Sequence, residues 1–419
     1  MRLFLIEIFL TFACNVAFGQ TVDQDIERLN AQMKELELRK IQILEELETL
    51  KFRRINRDLK AVGLPSSNYI EHSAMMLEYS ETHEQAAWVA HIITSDIING
   101  SATRSNDFRP DPRVTSGTAV EADYFLKSLQ KDSSYTYDGF GYDRGHLAPS
   151  ADFRWSATAL SESYYYSNMS PQRAKFNREK WAELESMLRG YVYDHPGVQL
   201  IVVTVPVLKE GLPVIERSIN KISIPEQYVK VAIDLTNKRG IGFVMPNQKL
   251  SYPLETFAVA IDEAEELTGF DFFNLLDEKT EEILENKVDK KAWFPEIKKG
   301  DVAPIYPPSL PAAHFNTVQS KRYVARGKVI TVCGTVVSTR LSKKGNLWMN
   351  IDKQFPNQIF SVYIKKEDLV NFTFDPAKEF LNKQVCFDGK IQDFNGTPTI
   401  QMGKEGDCRF LFEAVNKAN

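Results

Sequence analysis

Tyr142-Asp143-Arg144-Gly145-His146-Leu147-Ala148-Pro149 is the stretch on which the reading of this chain turns. Downstream follow Ser167-Asn168-Met169-Ser170-Pro171-Gln172 and Phe176-Asn177-Arg178-Glu179-Lys180-Trp181-Ala182-Glu183-Leu184-Glu185. Taken singly, each has an ordinary explanation. A histidine in a turn rich in Gly and Pro is commonly structural. An asparagine ahead of a helix is commonly its N-cap. An arginine beside an aspartate is commonly a surface pair. The signal lies in their joint order and spacing.

Read together, the three words resemble the DNA/RNA non-specific endonucleases, the ββα-metal nucleases that include mitochondrial endonuclease G and secreted bacterial nucleases. The Asp-Arg-Gly-His core stands at 143–146, the Asn-x-x-Pro-Gln element at 168–172, and the following Asn with its Trp-x-x-Leu-Glu helix at 177 and 181–185. Flanking words agree: Trp88-Val89-Ala90, Arg104 with Asp107-Phe108-Arg109, Ile224-Pro225 ahead of Tyr228-Val229-Lys230-Val231, and Met245-Pro246-Asn247. The resemblance covers residues 66–275. It departs at Val205 in Thr204-Val205-Pro206, where the family has Gly; a packing change is expected there, with no loss of a catalytic group. The resemblance implies an α+β fold, a ββα-metal domain with a mixed or antiparallel sheet, acting on DNA and RNA and leaving a 5′-phosphate and a 3′-hydroxyl.

The residue chemistry leads the same way. Phosphodiester hydrolysis needs an activated water, a counter-charge for the pentavalent phosphorane and a stabilised leaving oxygen. An imidazole with a reference pKa near 6.5 can take a proton from water, which makes His146 the candidate general base. Arg144 can hydrogen-bond a phosphate oxygen, and Arg104 is a second candidate for that role. Mg²⁺, with Mn²⁺ as a substitute, is the expected cofactor, since it needs few protein oxygens and keeps most of its waters. Asn177 is the expected direct ligand through its amide oxygen. Glu185, eight residues on and about 80° round an α-helix, is expected to hold the metal's waters. Asn168 is expected to orient the site by hydrogen bonding. Arg109, Arg173, Lys175 and Arg178 add to the cationic groups expected to contact nucleic acid, through phosphates and hence with weak base preference.

A non-catalytic nucleic-acid-binding or scaffold protein built on a nuclease fold is the alternative. Intact His146, Asn177 and Glu185 weigh against it, because decay usually removes one of them.

The 419 residues carry a net charge of -5, which argues against coating nucleic acid by bulk positive charge. That charge is uneven. Residues 315–419 hold 16 Lys+Arg against 10 Asp+Glu, and the rest of the chain holds 35 against 46. No later apolar run approaches the roughly 20 residues needed to span a bilayer. At the start, Arg2, the apolar stretch Leu3 to Phe12 and Ala17-Phe18-Gly19 read as an export signal over residues 1–19, leaving Gln20 first after cleavage. A single membrane anchor, or a lipoprotein signal at Cys14, are the other readings. A periplasmic or secreted protein without integral membrane contact is expected. Cys333, Cys386 and Cys408 remain, so at most one internal disulfide forms and one thiol is left over.

Residues 20–60 are expected to be a helical coiled coil. Val22, Ile26, Leu29, Met33, Leu36, Ile43, Leu47 and Leu50 recur at spacings of three and four, interrupted by Lys40, over about four heptads. A homo-oligomer through residues 22–50 follows, unless the helix packs back on its own body. Gly63-Leu64-Pro65 ends the helix, and the nuclease domain is expected over 61–291. Within it Val198 to Val207 and Tyr228 to Leu235 read as buried strands, and 277–291 as a charged helix with a solvated face. A proline-rich linker is expected over 292–320. Five candidate strands over 321–412, with a short helix between the third and fourth, resemble an OB-fold. In it Lys343, Lys344, Trp348, Lys353, Phe360 and Tyr363 interleave basic and aromatic residues, a pattern suited to single strands, with barrel core as the competing reading of the aromatics. A glycan or protein ligand is the other reading of this module.

Overall fold

The computed structural model describes residues 22–195, 197–294, 299–305, 309–311 and 313–412. The expected export signal lies outside them, as do Pro295, Pro307 and Pro308. Residues up to Lys51 and residues from Phe52 onward form two units.

One helix, α1 (Val22–Val62), accounts for the N-terminal periodicity, with Asp23 and Asp25 in its first turn and Lys60 in its last, as the helix dipole favours. In the first unit every residue of the apolar seam is exposed, and so are Leu38, Ile41 and Leu44 outside it. The final turns belong to the second unit. Ile55, Leu59 and Val62 are buried in the body's core, and the Phe52 ring lies 5.7 Å from that of Trp155. The body thus starts inside the helix and not at residue 61, because these apolar side chains complete its core.

The body takes its strands in chain order. β1 (Ile70–Glu71), β2 (Met75–Ser80) and β3 (Gln85–Ile93) come first. A hairpin of β4 (Phe125–Leu129) and β5 (Tyr135–Gly139) follows, then a ribbon of β6 (Asp143–His146) and β7 (Met169–Gln172). The body returns to its main sheet with β8 (Leu200–Pro206), β9 (Gln227–Asp234), β10 (Arg239–Pro246) and β11 (Ala258–Val259). The sheet order is β1-β2-β3-β8-β9-β10-β11, with every neighbouring pair antiparallel. β8 is buried at every position, which is why its sequence is an unbroken apolar run and not an alternating one. Val205, the departure from the family pattern, is one of these buried residues.

Around the sheet stand α2 (Ala157–Glu162), α3 (Ala182–Asp194), α4 (Ile261–Thr268) and α5 (Glu278–Glu285). The reading of 277–291 as a solvated helix needs correction. The helix is shorter, and Leu284 and Glu285 are buried where it packs on β10. Gly240 on β10 makes that approach possible: a Cβ there would lie 2.0 Å from the Leu284 carbonyl oxygen.

The C-terminal module contains β12 (His314–Asn316), β13 (Val329–Leu341), β14 (Leu347–Ile351), β15 (Phe360–Ile364), β16 (Gln384–Phe394), β17 (Thr397–Met402) and β18 (Cys408–Phe410). Pairing runs β13-β14-β15-β17-β16 and returns to β13, closing a small all-β barrel in which β15 and β17 are parallel. The turn Pro376–Glu379 lies between β15 and β16. The module starts before residue 321, since β12 pairs with Thr331 to Cys333 and Asn316, Thr317 and Ser320 are buried. Nor is the preceding stretch a free spacer. Ile305 and Leu310 are buried in a cluster with Leu411 and the disulfide partners Cys333 and Cys386, which sit opposite each other on β13 and β16. Cys408 is the remaining free thiol.

Candidate active site

The β6–β7 ribbon pairs Asp143 with Gln172, Arg144 with Pro171, Gly145 with Ser170 and His146 with Met169. A Cβ at Gly145 would sit 2.2 Å from the Gln172 side-chain oxygen, so only glycine lets Gln172 cross the ribbon there. The chain leaving His146 is clamped by Asn168. Its Oδ1 accepts from the Ala148 amide at 2.9 Å, and its Nδ2 donates to the Ala148 and Ser163 carbonyls at 2.9 and 2.8 Å. Asn168 is fully buried with its amide consumed in these bonds, so it positions the turn after His146 and does not meet a substrate.

The His146 ring is half-buried, edge-on to Tyr164 at 4.9 Å and 5.9 Å from Phe108. Its Nε2 is buried with no hydrogen-bond partner among the described residues. Burial first, and then the positive charges of Arg104 and Arg144, push its pKa down to about 3. The imidazole is therefore neutral through the physiological range, as a proton acceptor must be.

Asn177 comes from a segment the sequence reading treated as ordinary helix. Phe176 to Trp181 is a π-turn that runs into α3. Phe176 and Trp181 are both buried, 5.2 Å apart, and Phe176 lies 5.4 Å from Tyr228. Two buried aromatics five positions apart suit i→i+5 pairing; between them Asn177 is half-buried and Arg178 exposed. A π-turn rotates less per residue than an α-helix, so the α-helical projection of Glu185 from Asn177 does not hold. The Asn177 Nδ2 donates to Asp143 Oδ2 at 3.0 Å, fixing the amide and leaving Oδ1 as its acceptor. Glu185, on α3, is half-buried; burial raises its carboxyl, against the pull of Arg189, Lys230 and Arg104.

Arg104 and Arg144 flank the histidine. Exposed Arg104 donates from Nε to the Tyr164 hydroxyl at 3.3 Å, and its charge reaches both His146 and Glu185. The Arg144 guanidinium lies 3.6 Å over the Phe108 ring and makes a long bond of 3.4 Å to the Tyr166 hydroxyl. Neither arginine pairs with a carboxylate among the described residues. An open cavity of about 560 Å³ lies beside Arg144, walled by Phe108, Phe125 and Tyr137.

Two expected nucleic-acid contacts are committed elsewhere. Arg109 donates to the Asp107 carboxylate at 2.7 Å and to the Asp107 and Ser161 carbonyls, and covers the Tyr165 ring at 4.2 Å. Arg178 grips Asp143 with two bonds of 2.8 and 2.7 Å. Each is paired with a carboxylate, and the Arg178 side chain is still 71% exposed. Arg173 and Lys175 are exposed beside the π-turn. On the barrel, Lys343 and Lys344 are exposed in the β13–β14 hairpin, and the Trp348 ring lies 4.8 Å from Tyr363 and 4.7 Å from Phe394. Phe360, in contrast, is barrel core.

The sequence reading missed Asp143 as the group that ties ribbon to helix, and it missed the charges beneath the site. Lys230 is buried on β9, donating to the Leu147 carbonyl at 3.0 Å and the Thr204 hydroxyl at 2.6 Å. Arg189 and His91 bind the two oxygens of Asp152 at 2.8 and 2.9 Å. A lone lysine inside the apolar run from Tyr228 to Leu235 was the available signal.

The sequence pattern described as DNA/RNA non-specific endonuclease matches residues 55–279. A nuclease of Nostoc is 29% identical over 237 residues, 54% of this chain and 80% of that protein. A nuclease of Syncephalastrum racemosum is 30% identical over 247 residues, 54% of this chain and 73% of that protein. Human mitochondrial endonuclease G is 28% identical over 230 residues, 51% of this chain and 73% of that protein. A chain of the solved EndoG/EndoGI complex superposes with a TM-score of 0.45 at 26% identity, covering 53% of this chain and 93% of that one.

The His146 environment makes a spectroscopic prediction. Its ring proton resonances should stay put from about pH 8 to pH 5, whereas an ordinary histidine titrates in that window. Arg104→Ala, by removing a repelling charge, should move the transition upward. A midpoint near 6.5 in the unmodified protein would contradict the cation-flanked ring with its buried Nε2.

Proposed function

Since the chain belongs to the DNA/RNA non-specific endonuclease family and is a nuclease, we propose that it is an exported endonuclease that cleaves DNA and RNA with a divalent metal and His146 as general base. The observation that carries this reading is the juxtaposition of a neutral imidazole, its Nε2 buried, with two arginines that no carboxylate among the described residues neutralises. The donors fit a hard cation: Asn177 has its amide oxygen left over by the bond to Asp143, and Glu185 offers a half-buried carboxylate. Asn177 would hold Mg²⁺, or Mn²⁺ in its place, with Glu185 on its waters, and the ion would supply counter-charge to the phosphate and to the leaving oxygen.

The chain's own residues then have separable tasks. His146 takes the proton of the attacking water. Arg144, supported on Phe108 and beside the open cavity, hydrogen-bonds a phosphate oxygen, and Arg104 adds a second cationic contact. Attack at phosphorus breaks the bond to the 3′ oxygen and leaves a 5′-phosphate. Asn168 and Lys230 hold the Leu147–Ala148 backbone and so fix where His146 points. Plasmid and RNA digestion tests this. His146→Ala should lower turnover by about 10²–10⁴-fold, and EDTA should abolish it. Undiminished cleavage by the variant would remove the mechanism.

The barrel supports a second role for the same substrate. Its strand order, with the third and fifth strands parallel, is that expected of an OB-fold. Trp348, Tyr363 and Phe394 cluster outside the core beside the Lys343–Lys344 hairpin. Stacking of bases there would feed single strands to the body. Trp348→Ala should weaken single-stranded DNA binding by about 1–3 kcal/mol while leaving duplex binding nearly unchanged; equal affinity for single strands would assign the barrel another ligand.

Export and assembly stand on other features. The Cys333–Cys386 disulfide suits an oxidising compartment, and no helix among the described residues is long and apolar enough to cross a membrane. The exposed apolar residues of α1 favour a homo-oligomer through 22–50. Native mass spectrometry of the protein recovered after expression with its leader should find a chain starting at Gln20, in multiples of that mass. A retained leader would overturn the export reading, and a monomer the coiled coil.

A further inference from the structure

α4 and α5 both pack against β10, and their facing sides are acidic. Asp262 and Glu265 on α4 and Glu285 at the end of α5 bring carboxylate oxygens within 4.8 Å of one another. Asp262 is exposed, Glu265 is half-buried and Glu285 is only 3% exposed. The buried Oε1 of Glu285 has no hydrogen-bond partner among the described residues. Glu265 accepts one bond, from the Phe272 amide at 2.6 Å. None of the three is in an ion pair among the described residues. Asp271 and Glu281 stand close enough to add their own negative charge.

This arrangement is costly as it stands. A carboxylate taken from water with no partner is strongly disfavoured, and Glu285 also occupies the negative end of the α5 dipole. Burial and then the neighbouring carboxylates push Glu285 up to about 9; burial raises Glu265 to about 7, with Asp271 and Asp262 adding to it. Leu284, beside Glu285, is fully buried, its carbonyl closely approached by Gly240 of β10. What the oxygens lack is a cation. An all-oxygen set graded from exposed to buried suits Ca²⁺, which accepts irregular coordination and completes its shell with water; Mg²⁺ demands regular octahedral geometry.

We propose that Asp262, Glu265 and Glu285 bind a divalent cation, Ca²⁺ in preference to Mg²⁺, that fastens α4 to α5. The site shares no residue with the His146 centre, and Glu285 lies beyond the 55–279 family match. The proposal does not depend on the nuclease mechanism.

Calorimetric titration with CaCl₂ tests it in an Asn177→Ala background, which removes the expected active-site ligand. One Ca²⁺ should bind per chain, and a hundredfold excess over Kd should raise Tm by roughly 5 °C. Glu285→Gln should abolish that binding, because an amide keeps the shape of the side chain but cannot give up a proton to become an anionic ligand. Should that variant fail to fold, Glu265→Gln is expected to abolish binding likewise. No Ca²⁺ bound in the Asn177→Ala protein, or unchanged stoichiometry in Glu285→Gln, would overturn the site. Stabilisation on lowering the pH from about 8 to 6 without any response to Ca²⁺ would show shared protons in place of an ion. An equal response to MgCl₂ would overturn the preference.

Discussion

A balanced set of buried charges under the His146 turn is what the active site rests on. Arg189 and Lys230 are each about 1% exposed, Asp152 is 2% exposed, and Glu185 stands among them. Two cations meet two carboxylates, and burial holds His91, bound to Asp152, in its neutral form. Burial pushes the Glu185 carboxyl up and the Lys230 ammonium down, and their mutual attraction opposes both shifts. Removing one partner from such a set leaves an uncompensated charge, a loss of about 3–5 kcal/mol. The set is also directional. Lys230 spends two of its donors on the Leu147 carbonyl and Thr204, so the central sheet holds the backbone next to the His146 ring.

Above that base, carboxylates sort the arginines. Arg109 is taken by Asp107, and Arg178 by Asp143. Both serve to fix loops: the Asp143 pair joins the ribbon to the π-turn, and the same carboxylate sets the Asn177 amide. Arg104 and Arg144 are held by a phenol hydroxyl and an aromatic face, which orient a guanidinium without neutralising it. Sequence position could not separate the two classes, because each contains one arginine from the 104–109 stretch and one from the 143–185 stretch.

What the sequence offered of the site was a set of candidates. His146, Arg144, Asn177 and Glu185 could be picked out because the words that hold them resemble a family pattern. The supports were less legible because they are dispersed. Asp152, Arg189 and Lys230 come from three separate elements, and nothing local marks their meeting. The π-turn was hidden because its cause, the burial of Phe176 and Trp181 against Tyr228, is a tertiary contact. In the fold, long periodic segments were read well. β8, β9 and α1 fall within a few residues of their expected ranges. Boundaries were the weak point. Ile55 and Leu59 continue the helix pattern while serving the body's core, and β12 is too short to show an alternation.

The uneven charge of the chain takes on a local meaning in this light. The acidic excess of residues 1–314 includes side chains that face one another, as Asp262, Glu265 and Glu285 do. Such a group acts at a few ångströms, on whatever fills the space between its oxygens. A polyanion approaching from solvent is screened from charges more than about 8–10 Å away. Near His146 stand the guanidinium groups of Arg104 and Arg144, which pair with no carboxylate among the described residues. Net charge therefore says little about the substrate here. The decisive quantity is which charges are already paired, and pairing is a property of the folded chain that the tally of Lys, Arg, Asp and Glu does not contain.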